Sequence, residues 1–205
     1  MHFDSDPVIT QVRKGLLPVQ ISDATDEVKR EGQRGASVLL PLVQRDGWQI
    51  ILTQRPQTMP QHAGQVAFPG GKREAGESAL QAALRETEEE VGIKNAAIKV
   101  IGRLPSFNAV SEYRVTPFVG IVDPQATIIP EPREVDAVFE TPLSFLMNPE
   151  NHIPREIMYK DKALVLYDMP YEDTDGVHRN IWGMTAMMLY HLYQRAYLGN
   201  FEVDY

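Results

Sequence analysis

The sequence predicts an α/β protein, a mixed β-sheet flanked by helices, and three observations predict it. Apolar and β-branched runs of strand length recur between residues 37 and 169, a helix with marked ends interrupts them at 78–93, and a second helical pattern follows at 183–199. The chain of 205 residues is 43% hydrophobic and 23% charged, enough for one sizeable core. Residues 34–205 are therefore read as a single domain behind an N-terminal arm of residues 1–33.

Each element has a local reason. In the arm, Pro7 and Pro18 interrupt a polar stretch without sustained periodicity, with room for one short helix. Residues 37–44 and 48–55 are apolar runs on either side of Asp46-Gly47, a hairpin-turn dipeptide. A Pro- and Gly-marked loop over 56–64 leads to a short strand at 66–68 and a turn at Pro69-Gly70-Gly71. The helix over 78–93 opens with Ser78 and Gln81 at capping-box spacing, and Gly92 stands where a left-handed C-cap belongs. Strands are expected within 96–104, 113–122, 137–143 and 163–169, with a brief helical turn near 144–148. In the last helix Leu189, Leu192, Tyr193 and Ala196 recur at helical spacing and read as packing residues, as do Trp182, Met184, Met187 and Met188. His178 and His191 have no partner at ligand spacing and read as structural or solvent-facing.

Composition narrows the chemistry. With no cysteine, a disulfide framework, a thiolate metal site and a thiol nucleophile are excluded. The balance of 20 basic against 28 acidic residues, net −8, argues against nucleic acid as a partner and leaves small anionic molecules that are met by local cations. No apolar run approaches the roughly 18 residues of a membrane span. Residues 1–15 lack the apolar core of a signal peptide, so a cytoplasmic location and no membrane partner are expected.

The helix over 78–93 carries the chemistry. At about 100° per residue, Leu80, Ala83, Leu84, Thr87 and Val91 share a stripe expected to face the core, while Glu86, Glu89 and Glu90 fall together on another. Acidic side chains are unfavourable at a helix C-terminus, and Glu86 with Glu90 is a like-charge pair one turn apart. A hard divalent cation removes that repulsion, which makes the cluster a metal site in expectation. Gly70, Gly71 and Gly76 in the preceding loop permit close approach of main chain to a phosphate or metal.

Gly71, Glu77, Arg85-Glu86, Glu89-Glu90, Gly92 and Ile93 stand at spacings that resemble the Nudix box, with Thr87 where a bulky aliphatic residue is usual. The segment 51–71 is similar to the motif found upstream of that box in coenzyme A diphosphatases, with Arg55, His62, Gly64 and residues 66–71 in place. Pro56, Met59 and Pro60 depart from the commoner serine, leucine and arginine, and the change at Pro60 removes a basic residue. Residues 113–122, 134–146 and 181–186 resemble further segments of bacterial members.

The resemblance implies a Nudix α/β/α sandwich around a central mixed sheet. It also implies metal-dependent hydrolysis of the diphosphate bond of coenzyme A and its derivatives to 3′,5′-ADP and 4′-phosphopantetheine. On the matching positions it implies Mg²⁺ or Mn²⁺ held by Glu86, Glu90, Glu89 and the Gly70 carbonyl. Glu86, Glu89 and Glu90 are then the catalytic residues, Arg55, His62 and Gly71 substrate contacts, and Glu77 and Arg85 braces of the site. Glu89, Glu112 and Glu134 are candidates for the general base, and Lys72, Arg73, Arg103, Arg114 and Arg133 for holding the 3′-phosphate. The rival expectations are hydrolysis of another nucleoside diphosphate derivative and a non-catalytic nucleotide-sensing Nudix module. Against the latter, the box keeps every charged position.

Overall fold

A computed structural model describes residues 3–20, 32–58, 62–109, 112–159 and 162–201. The departures at Met59 and Pro60 lie outside the described residues. The expected hairpin forms: β1 (Arg34–Gln44) and β2 (Trp48–Gln54) pair antiparallel with Leu42 opposite Ile50. Two short strands follow, β3 (Val66–Ala67) against β2 and β4 (Gly70–Lys72) against β1. After helix α2 (Ala79–Val91) come β5 (Ile98–Arg103), β6 (Phe107–Asn108), β7 (Tyr113–Val122), β8 (Ala137–Pro142) and the single turn α3 (Leu143–Leu146).

Among the described residues these eight strands form one sheet, with the path β3-β2-β1-β7-β5 and β4, β6 and β8 attached at its sides. The pairing of β1 with β7 is parallel, from Arg34↔Tyr113 to Val43↔Val122, and the other pairings are antiparallel, so the sheet is mixed. Both of its faces are covered, which is why β1 reads as a nearly continuous apolar run instead of an alternation. On one face Leu39 and Phe118 meet Ala79 and Ala83 of α2. On the other, Leu40, Leu42, Val119 and Ile121 meet Met188, Leu189, Leu192 and Ala196 of α4 (Gly183–Leu198). The result is the α/β/α layering that the resemblance implied.

Residues Pro7–Lys14 form α1, opened by Asp6, whose Oδ1 accepts from Val8 N and Ile9 N at 2.8 and 3.2 Å. Its Ile9 and Val12 are fully buried in the same core as α4, so this part of the N-terminal segment packs as an element of the main body. Four strands were absent from the sequence reading: β4, where a turn was expected, the two-residue β6, and two outside the main sheet. β9 (Ile153–Tyr159) and β11 (His178–Trp182) flank β10 (Lys162–Glu172) in a second, three-stranded sheet. Residues 153–156 of β9 are all exposed, so no two-residue alternation announces it. Among the described residues no helix is long and apolar enough to cross a membrane.

Candidate active site

The position of the site follows from how one edge of β1 is shared. β2 occupies that edge at residues 42–44, then diverges, and β4 takes it over at residues 36–38, with Leu39 N donating to Pro69 O at 2.9 Å between them. Gly70 enters β4 at φ 154, and a Cβ there would stand 2.4 Å from Ser37 O. At Gly71 a Cβ would come within 2.5 Å of the Glu86 carboxyl. Both glycines are therefore required by close approach, one to the neighbouring strand and one to a carboxylate.

Helix α2 has the predicted ends. Ser78 and Gln81 exchange both capping-box hydrogen bonds, and Gly92 is left-handed at φ 73. Its packing face is turned from the expected one: Ala79, Ala82, Ala83, Thr87, Glu90 and Val91 are buried, whereas Leu80 and Leu84 are half-buried. Small alanines let the helix sit close on Leu39 and Phe118, and that brings Glu90 inward. Thr87, fully buried, satisfies its hydroxyl by donating to Ala83 O at 2.7 Å, which explains how a polar residue is accommodated there. The loop between β7 and β8 closes the helix C-terminus, since Glu131 N and Ile129 N each donate at 2.9 Å, to Glu90 O and Val91 O.

Glu90 is 5% exposed, and its Oε2 accepts from Gly70 N at 3.1 Å. Burial pushes its carboxyl up to about 7, opposed by the Gly70 hydrogen bond and the Arg55 charge and reinforced by Glu86 and Glu134. Burial also raises Glu86, against the pull of Arg85, with Glu89 and Glu134 adding to the rise. The structure thus brings Glu86, Glu90, Gly70, Gly71 and Arg55 together and adds Glu134 from the loop that closes α2. Arg55 Nε is buried and without a hydrogen-bond partner among the described residues.

Arg85 is the brace. It grips Glu77 bidentately (2.9 and 3.1 Å), donates to Lys72 O at 3.0 Å, and reaches Glu86 at 3.0 Å and Glu89 at 2.7 Å. Among the described residues no three carboxylate or imidazole groups converge on one metal position as they stand. Arg85 holds Glu86 and Glu89, while Glu90 is turned to Gly70 N. The donor set nonetheless fits a hard divalent cation, because the half-buried Glu86 and the buried Glu90, both raised by burial and by neighbouring glutamates, are relieved by positive charge. Glu88 is turned away, paired with Lys94 at 2.7 Å.

His62 is exposed and left-handed at φ 58, its Nδ1 2.8 Å from Gln65 Oε1, so here it stabilises the loop. Sequence reasoning missed a support behind that loop. Gln54 donates from Nε2 to Gly64 O at 3.2 Å, accepts Asp136 N on its carbonyl at 2.8 Å, and accepts Arg179 on its side-chain oxygen. Arg179, brought by β11, is paired with Asp173 at 2.8 Å and lies 4.3 Å from the Phe139 ring centre; its side chain is 8% exposed and that of Asp173 6%. An isolated Gln-Arg pair 125 residues apart leaves no local pattern to find.

The chain matches the NUDIX domain over residues 33–161. The uncharacterized Nudix hydrolase NudL of Escherichia coli K12 is 41% identical over 163 residues, covering 78% of this chain and 82% of that one. The protein of the same description from Escherichia fergusonii is 40% identical over 163 residues, with the same coverage. A solved Nudix hydrolase from M. smegmatis aligns over 56% of this chain and 74% of that chain, at 21% identity and a TM-score of 0.48.

Proposed function

Because this chain belongs to the Nudix hydrolase family, we propose that it hydrolyses the diphosphate bond of coenzyme A and its derivatives, using Mg²⁺ or Mn²⁺ held by Glu86, Glu90, Glu89 and the Gly70 carbonyl. One observation carries the reading. The segment that resembles the coenzyme A diphosphatase motif and the acidic helix meet at one point, where Gly70 N donates to Glu90 and the Arg55 charge acts on the same carboxyl.

The reaction adds water across the P–O–P linkage. The water oxygen joins one phosphorus, the bridging oxygen leaves with the other phosphate, and the products are 3′,5′-ADP and 4′-phosphopantetheine. When bound, the divalent cations supply charge neutralisation at the phosphoryl oxygens and a more acidic water. Arg55, with a buried Nε free to donate, is assigned to the non-bridging oxygens of the diphosphate. Gly71, which lacks a side chain and so leaves room for the Glu86 carboxyl, is assigned a main-chain contact to the substrate's phosphate, and Arg85 with Glu77 keeps loop and helix in register.

Among the three carboxylates weighed as general base, Glu89 is held by Arg85, and Glu112 lies just before β7 with its carbonyl accepting from Arg34 N at 2.8 Å. Glu134 acts electrostatically on both Glu86 and Glu90 from a separate loop, and it is our choice to take the water proton on its carboxylate. His62, exposed, is assigned to the substrate's phosphates through the ring nitrogen that Gln65 does not hold.

The test is a metal-dependent assay on coenzyme A with product identification, run beside nucleotide sugars, dinucleoside polyphosphates and oxidised nucleotides. Release of 3′,5′-ADP with the highest kcat/KM of the panel is expected. Preference for another member overturns the substrate, and binding without turnover at any Mg²⁺ or Mn²⁺ concentration overturns catalysis.

A further inference from the structure

Five cations were open as holders of the 3′-phosphate, and the fold separates them. Arg103 is 5% exposed and turned to the Leu104 carbonyl, and Arg73 donates from Nε and Nη2 to Glu77 O. Arg133 lies on the loop between β7 and β8, where its backbone N–H is held by Glu131. Arg114 precedes Val115 on β7 and projects from the face opposite to Tyr113. Lys72 remains, exposed at the end of β4.

The sheet register gives Lys72 two neighbours that the sequence does not place beside it. Ala36 pairs with Lys72 on one side of β1, and Arg34 pairs with Tyr113 on the other. Residues 34 and 36 share a face, so Lys72, Arg34 and Tyr113 stand on one side of three adjacent strands. The Lys72 ammonium lies 5.8 Å from the centre of the Tyr113 ring. The Lys72 ammonium, and after it the Arg34 guanidinium, hold the Tyr113 hydroxyl below the ordinary phenol range. In a chain of net charge −8, neither cation has a carboxylate in ion-pair contact among the described residues.

We infer that Arg34, Lys72 and Tyr113 form a subsite for a phosphate monoester, the 3′-phosphate of the substrate's adenosine moiety. Position favours that occupant. Lys72 follows Gly70 by two residues on β4, roughly 7 Å along the strand, a span comparable to the one ribose that separates a 3′-phosphate from a 5′-diphosphate. The Lys72 carbonyl is pinned by Arg85, so the subsite is rigidly referenced to the acidic helix. Two cations and a hydroxyl supply the donors that a dianion accepts, and since Arg34 and Lys72 are both exposed it is held without burying charge. The inference rests on the coenzyme A reading for the identity of the phosphate.

Calorimetric titration of the full chain with 3′,5′-ADP and with AMP tests it, in parallel for wild type, Lys72→Ala, Arg34→Ala and the distant charge control Lys14→Ala. Wild type and Lys14→Ala are expected to prefer 3′,5′-ADP by about tenfold or more, and each subsite variant to lose most of that preference while keeping its affinity for AMP. Equal binding of the two nucleotides by wild type, or an undiminished preference in both subsite variants, overturns the subsite. The coenzyme A assay on wild type is read separately: a retained 3′,5′-ADP preference without coenzyme A turnover leaves the subsite standing and removes the substrate assignment.

Discussion

Replacing Glu90 by Gln tests whether the helix carries a charge that opposes folding until a cation meets it. The carboxyl has an ordinary value of 4.5 and is pushed up to about 7 by burial. A raised value in the folded state means that the protonated form is favoured there. The associated stability is therefore fully present below 4.5 and is lost as pH rises through 7. Integrating between those values, the ionised group costs about 1 kcal/mol at pH 5 and about 3 kcal/mol at pH 8. Gln keeps an oxygen that can accept from Gly70 N and removes the charge. Metal-free Glu90→Gln is expected to melt roughly 5–10 °C above wild type at pH 8, with the gain shrinking to a few degrees at pH 5. Mg²⁺ should raise the melting temperature of wild type at pH 8 and leave the variant nearly unmoved, and the variant should lose metal-dependent turnover. The assay is differential scanning fluorimetry across pH with and without Mg²⁺. Superimposable curves for the two proteins from pH 5 to 8 refute the charge penalty, and near-normal turnover in Glu90→Gln removes the metal assignment.

Arg85→Lys keeps the charge but cannot reproduce the fork on Glu77 together with the Lys72 carbonyl and two glutamates; a loss of about 1–2 kcal/mol and a lower kcat are expected, measured by urea unfolding and steady-state kinetics. Arg179→Met leaves Asp173 without its cation and Gln54 without its donor, so melting temperature should fall and KM rise; unchanged kinetics would detach the small sheet from the loop that carries Arg55. His191 is fully buried, and burial, then the Arg195 charge, lowers it from 6.5 to about 4. Its contribution is present above 6.5 and is lost as pH falls through 4, up to about 3 kcal/mol, so His191→Phe, which preserves a ring against Phe107, should flatten the acid limb of a stability-against-pH curve.

Local chemistry was legible wherever neighbours in sequence are neighbours in space. The hairpin at Asp46-Gly47, the capping box at Ser78 and the left-handed Gly92 are satisfied within a few residues, so one sequence sufficed to place them. Glu86, Glu89 and Glu90 were visible as a cluster for the same reason, while the Glu77–Arg85 pair, eight residues apart along the loop and helix, was implied by the resemblance to the Nudix box. What the tertiary structure alone decided is which way α2 is rolled. Helical periodicity proposed Leu80 and Leu84 as core, but close packing of Ala79 and Ala83 on Leu39 and Phe118 turned the helix and drew Glu90 against Gly70. The same holds for β9 and β11, the Gln54–Arg179 support and the meeting of Arg34, Lys72 and Tyr113. Each depends on strand register or on contacts across most of the chain, and pairing energies between distant segments leave no periodic trace in either segment by itself.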